Sequence, residues 1–309
     1  MNLDSASQTN LIEHNEIFNN LSQLYINNNL PNKILLSGEK GIGKSTLAYH
    51  LINFVLSKNE EHPYDYKNYK INSENKSFKL IQNKSNSNFN LIDVAEDKKN
   101  IDINQIRELI INLNKSSFNN KNRFVLIDNI ELLNINSVNA LLKTLEEPNE
   151  NINFILVNNN KRVLPTLKSR CLNFKVFLTR NQSIRIINKI LNDDINNIIN
   201  NELLDNYITP GKLFKLIKFS EQHELDLVNI NLTKFLKTII RNKIYKKDKL
   251  INEILYSFIE LYFRSNICVK NINLLHSYHY FIESIKNTKI YNLDEEILFM
   301  EFEDKVLNG

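Results

Sequence analysis

Glycine and proline number five each in 309 residues, cysteine and methionine two each, and tryptophan is absent. Cys171 and Cys268 are too few for a disulfide framework or a four-ligand zinc site, and the six histidines are not spaced with them as metal ligands, so no zinc is expected. No window nears the ~18 uninterrupted apolar residues of a spanning helix, and the first ten residues lack a basic segment leading into an apolar one. Neither a membrane span nor a secretory leader is therefore expected, and a reducing cytoplasm suits the chain. The formal net charge of +4 is too small to point to nucleic acid by itself.

The chain is 42% hydrophobic and 24% charged, which excludes general disorder and supplies cores for about two domains. Roughly fifty asparagines take over much of the turn chemistry that glycine and proline usually supply. Against that background it is notable that Gly38, Gly41 and Gly43 fall within six residues of one another.

An apolar run at Lys33 to Ser37 reads as a buried parallel strand, and Ser45 to Leu56 follows with a helical period. Residues 57–88 are polar and predict mostly loop, with one strand around Phe78 to Ile81. Strand and helix then alternate: Phe89 to Val94, Ile101 to Leu113 with Asp102 as N-cap, Arg123 to Asp128, and Ser137 to Glu147 stopped by Pro148. Asn153 to Asn158 is the next strand, Pro165 opens a short turn or helix, and Leu172 to Phe177 is the last strand. From about residue 179 only helical periods persist. The expected fold is α/β, a doubly wound parallel sheet over residues 1–177 followed by helices, with breaks at Pro210-Gly211 and at Ser220 to Glu224.

Gly38-Glu-Lys-Gly-Ile-Gly43-Lys44-Ser45 fits the phosphate-loop pattern G-x-x-x-x-G-K-[ST] between a strand and a helix. Glycines let backbone N–H groups surround phosphates, Lys44 adds a point charge, and Ser45 offers a hydroxyl to Mg²⁺, with Thr46 continuing the first helical turn. ATP or ADP with Mg²⁺ is the expected ligand. Asp128, ending an apolar strand, is placed to hold Mg²⁺ at the carboxyl edge of the sheet, or else to cap the next turn. Asn129 follows it, and an amide cannot take a proton from water, so the chain's own hydrolysis is expected to be weak or absent. Asn158, Asn159 and Asn160 either orient water at a γ-phosphate or form a solvated turn. Arg170 in Ser-Arg-Cys either reaches a phosphate or makes an ordinary surface ion pair.

Taken together, Asn139-Ala-Leu-Leu-Lys-Thr-Leu-Glu-Glu-Pro148, Phe154-Ile-Leu-Val-Asn-Asn159 and Leu164-Pro-Thr-Leu-Lys-Ser-Arg-Cys171 resemble the core of the clamp-loader branch of AAA+ proteins. Within that branch the size, helical tail and incomplete Walker B are most similar to the delta-prime family of the bacterial DNA polymerase III clamp loader. The resemblance implies an AAA+ P-loop domain over 1–177, a small helical lid over 178–224 and an all-α collar over 225–309. It implies that Arg170 acts in trans as an arginine finger in a neighbouring subunit's ATP site, that Asn159 is the nearest match to sensor 1 and that Lys212 stands near sensor 2. The partners it implies are other clamp-loader subunits in a five-membered ring, the sliding clamp, and primer-template DNA reached through the assembled ring. Lys115, Lys121, Lys143 and Arg107 are candidate DNA contacts. The rival readings are an autonomous AAA+ ATPase, such as a motor subunit, and more remotely a P-loop small-molecule kinase.

Overall fold

The computed structural model describes residues 4–95, 98–114, 122–146, 151–246, 249–266, 272–291 and 293–308. The chain separates into two compact units, Met1–Thr179 and Arg180–Gly309.

The first unit runs α1 (Asn15–Ile26), β1 (Lys33–Ser37), α2 (Lys44–Leu56), α3 (Lys76–Gln82), β2 (Phe89–Ile92), α4 (Ile103–Asn114), β3 (Arg123–Ile127), α5 (Ile135–Glu146), β4 (Ile152–Asn158), α6 (Pro165–Lys168) and β5 (Leu172–Lys175). The strands form one sheet in the order β2-β3-β4-β1-β5, and every adjacent pair is parallel. Leu35 stands opposite Leu156 on one side and Asn173 on the other. Every residue of β3 and β4 is buried, which explains their unbroken apolar runs: a strand covered on both faces has no solvent side to mark with polar residues.

One face of the sheet packs Val125, Ile127, Phe154 and Leu156 against Ile106, Leu109 and Leu113 of α4 and Val138, Leu141 and Leu145 of α5. These helical residues recur at three- and four-residue spacing, so each helix turns one apolar stripe inward. Asp102 opens α4 with a reciprocal cap: its Oδ1 accepts from the Asn104 amide at 3.3 Å while Gln105 Oε1 accepts from the Asp102 amide at 2.9 Å. A second, aromatic cluster joins Phe18 of α1, Phe54 of α2, and Tyr64, Tyr66 and Tyr69, with Phe18 and Tyr64 ring centres 5.2 Å apart.

The polar 57–88 segment departs from its sequence reading. Residues Phe78 to Ile81 lie in helix α3 rather than a strand, because Asn75 Oδ1 accepts from the Phe78 amide at 2.8 Å and starts a turn that buries Ser77, Phe78 and Ile81 on one side. Strand alternation over so few residues does not compete with a satisfied cap. Pro148, Cys268, Lys115 and Lys121 lie outside the described residues.

The second unit contains α7 (Arg180–Leu191), α8 (Asn201–Leu204), α9 (Pro210–Gln222), α10 (Leu232–Arg241), α11 (Lys249–Asn266), α12 (Ile272–Tyr291) and α13 (Glu295–Phe302), and no strand among its described residues. Its core includes Phe235, Phe258, Phe263, Phe281, Phe299 and Phe302, all fully buried.

Candidate nucleotide site at the carboxyl edge of the sheet

In a parallel sheet all strand ends of one polarity share an edge, so the residues that follow β1, β2, β3 and β4 meet there. After β1 comes the glycine loop, after β2 Asp93, after β3 Asp128 and Asn129, while Asn158 ends β4 and Asn159 follows it.

The loop owes its shape to its glycines. Gly41 and Gly43 have φ of 87° and 94°, a left-handed conformation that costs an L side chain roughly 1–2 kcal/mol. Gly43 is also the N-cap of α2 and, having no side chain, leaves the first-turn amides without a side-chain cap. Those amides, at the positive end of a thirteen-residue helix, suit an anion. Thr46 lies half-buried in the same turn.

Lys44 is 3% exposed, and its ammonium donates to Gly38 O at 2.9 Å, Glu39 O at 2.6 Å and Asn159 Oδ1 at 3.0 Å. Burial lowers its pKa to about 8, against the opposing pull of Asp128, Glu131 and Glu39. Ser45 Oγ donates to Asp128 Oδ2 at 2.5 Å, and the Asn129 amide donates to Asp128 Oδ1 at 2.8 Å. Burial pushes Asp128 above the ordinary carboxylate range, with the Ser45 hydrogen bond working the other way. A hydroxyl and a carboxylate are thus side by side at the start of α2. This donor set fits Mg²⁺, which keeps several waters and takes further ligands from phosphates rather than from an all-protein cage. Among the described residues no group of three or more His, Cys, Asp or Glu could hold a metal.

Three further residues build this edge, and none was marked in the sequence. Asp93 Oδ1 accepts from Asn129 Nδ2 at 2.8 Å. Glu131 accepts from Asn159 twice, at Oε1 from Nδ2 (2.9 Å) and at Oε2 from the backbone amide (3.2 Å). His14 Nε2 donates to Ile42 O at 2.6 Å from a buried ring whose pKa burial lowers. Asp93 had a legible signal, an acid directly after a strand like Asp128. Glu131 and His14 had none, because their partners are 28 residues away in sequence in both cases.

Of the remaining candidates, Asn158 Nδ2 donates to Lys161 O at 3.2 Å, closing the turn after β4. Arg170 is not joined to this cluster within the chain. It follows α6, donating to Thr166 O at 2.7 Å and to Glu146 Oε1 at 2.5 Å. Lys212 belongs to the other unit, half-buried in the first turn of α9. Arg107 and Lys143 are exposed on α4 and α5.

Comparison with known proteins bears on residues 13–178, which match the family model described as DNA polymerase III, delta subunit. The chain is 31% identical over 138 residues to DNA polymerase III subunit delta' of Pseudomonas aeruginosa, covering 44% of this chain and 40% of that protein. It is 32% identical over 151 residues to DNA polymerase III subunit gamma of Buchnera aphidicola, covering 48% and 39%. Identity to a putative replication factor C small subunit of Acanthamoeba polyphaga mimivirus is 28% over 308 residues, covering 95% and 77%. The match thus spans about two fifths of the length of the gamma and delta' relatives.

Proposed function

The chain belongs to the DNA polymerase III delta subunit family of clamp-loader AAA+ proteins, and from that premise we propose that it is a clamp-loader subunit of the delta-prime kind. Its role is to help a ring of related subunits open a sliding clamp and place it on primer-template DNA. Residues 178–224 serve as the lid and 225–309 as the collar through which subunits join. No helix is long and apolar enough to cross a membrane among the described residues.

The observation that carries this reading is the meeting of Lys44, Ser45, Asp128 and Asn159 at one sheet edge beside Asn129, in a chain of this family. When bound there, ATP or ADP with Mg²⁺ is held by the loop amides, Lys44, Ser45 and Asp128, and it supplies a nucleotide-dependent contact between subunits. Asn159, bonded to Lys44, takes the place of the sensor beside the phosphates. Asn129 stands where a water-activating carboxylate is needed, and an amide does not take up a proton at neutral pH. Hydrolysis by this chain is therefore weak, which weighs against an autonomous motor.

Arg170 leaves the Glu146 carboxylate on assembly and completes a neighbour's ATP site, where a guanidinium fork matches phosphoryl oxygens. Reconstitution tests this directly. Arg170→Ala is expected to lower the ATPase rate of the assembled complex by about 10³-fold while the ring still assembles. An unchanged rate refutes the trans role, and steady turnover by the isolated chain favours the motor reading instead.

A further inference from the structure

Asn159 has two side-chain hydrogens, and both are committed. Nδ2 donates to Asn129 Oδ1 at 2.7 Å and to Glu131 Oε1 at 2.9 Å. Glu131 also takes the backbone amide of Asn159 at 3.2 Å through its other oxygen, so one carboxylate clasps the residue at two points. On the far side of the same amide group, Asn159 Oδ1 accepts from Lys44 Nζ at 3.0 Å. A full negative charge therefore stands one amide group away from the ammonium of the phosphate-loop lysine. Asp128 and Asp93 add carboxylates nearby, but each has separate work: Asp128 accepts from Ser45, and Asp93 accepts from Asn129 and from the Val94 amide.

We propose that Glu131 makes this site selective for a nucleoside diphosphate over a triphosphate. The inference rests on the reading of the glycine loop as a nucleotide site. A third phosphate brings additional negative charge and needs a hydrogen-bond donor at the end of the loop. The donor in place is Asn159, whose hydrogens already serve Asn129 and Glu131. Recruiting it costs the Glu131 clasp and brings two anions together, whereas the β-phosphate is served by the loop amides and by Lys44, which gives up at most its own bond to Asn159 Oδ1 and leaves the Glu131 clasp in place. Discrimination of this kind comes from a repulsive element built against the wrong ligand.

The measurement is calorimetric titration of the full chain with MgADP and with MgATP, for the native protein, Glu131→Ala and Glu131→Gln. The native chain is expected to bind ADP about tenfold more tightly than ATP, a gap that closes toward parity in Glu131→Ala. Glu131→Gln keeps an acceptor for Asn159 but removes the charge, so its ratio falls in between and decides the matter if the alanine variant does not fold. Equal native affinities, or a native ratio retained in the glutamine variant, overturn the proposal while leaving the nucleotide reading intact. Failure of the native chain to bind either nucleotide overturns both.

Discussion

Arg170 and Glu146 form an ion pair within the chain, Nη2 to Oε1 at 2.5 Å, on side chains that remain 32% and 52% exposed. A pair this open to water contributes little to stability, because screening weakens the attraction and fixing two long side chains costs entropy. Glu146→Gln is accordingly expected to change the unfolding free energy by less than about 1 kcal/mol in urea denaturation. The pair is weak enough to exchange for a stronger partner, which is the property an arginine acting on a neighbour requires.

Nucleotide affinity at the proposed site is expected to depend on pH through Lys44. Its pKa of about 8 means that the ammonium is already losing its proton in mildly alkaline solution, and a phosphate needs it charged. Affinity is expected to fall by up to about tenfold per pH unit above about 8, and Lys44→Gln should bind weakly with no such slope. Unfolding moves in the opposite sense. Between about 8 and the ordinary lysine range the unfolded chain holds the proton that the folded chain has released, so this residue's contribution to stability rises with pH. Calorimetric affinities and denaturation midpoints across that window check the two signs separately.

His50 gives the α/β unit an acid sensitivity. It is fully buried, its Nδ1 lies 2.9 Å from Tyr64 Oη, and burial lowers its pKa to about 4. The fold holds the neutral ring, so from the ordinary histidine value down to about 4 the unfolded state binds a proton that the native state refuses. Stability falls with pH across that window, by up to about 3 kcal/mol in total. His14, also lowered by burial, adds to the slope with the same sign. Thermal melts between pH 7 and 4 should show a shallower loss in His50→Gln than in the native chain, since the amide cannot titrate.

The parts of the fold that were legible are those whose determinants are local. The glycine loop is legible because phosphate binding needs closely spaced residues, and β3 and β4 because a doubly covered strand reads as an unbroken apolar run. Asp128 was readable as the acid ending such a run. Helix α3 was not, because its start depends on the Asn75 side chain and its apolar residues, Phe78, Leu80 and Ile81, are too few to show a helical period. The Glu131–Asn159 and His14–Ile42 contacts were also hidden, since each joins separate elements and neither glutamate nor histidine carries a mark of its future partner. Asn159 itself stood in a run of three asparagines, and only the turn after β4 separates it from Asn158, which closes that turn, and from Asn160, whose φ of 55° turns the chain.

The two glycines at the ends of the loop are required for different reasons, and alanine variants separate them. At Gly38 an added Cβ would stand 2.2 Å from Val176 O and 2.7 Å from Ile42 Cδ1. Val176 is held by its own amide, which donates to Ser37 O at 2.8 Å, so the obstruction is backbone and cannot rotate away. Gly38→Ala must separate β1 from the chain after β5 and is expected to cost about 1–3 kcal/mol through overpacking. At Gly43 the φ of 94° supplies strain of about 1–2 kcal/mol for any L side chain, while the nearest atom, His14 Nε2 at 3.1 Å, belongs to a side chain. Removing that side chain relieves the crowding but not the strain. Gly43→Ala combined with His14→Ala should therefore be less destabilising than the sum of the single changes, whereas Gly38→Ala combined with His14→Ala should be nearer to additive. Equal coupling in the two pairs, read from denaturation midpoints, would show that His14 supports the loop as a whole rather than its Gly43 end.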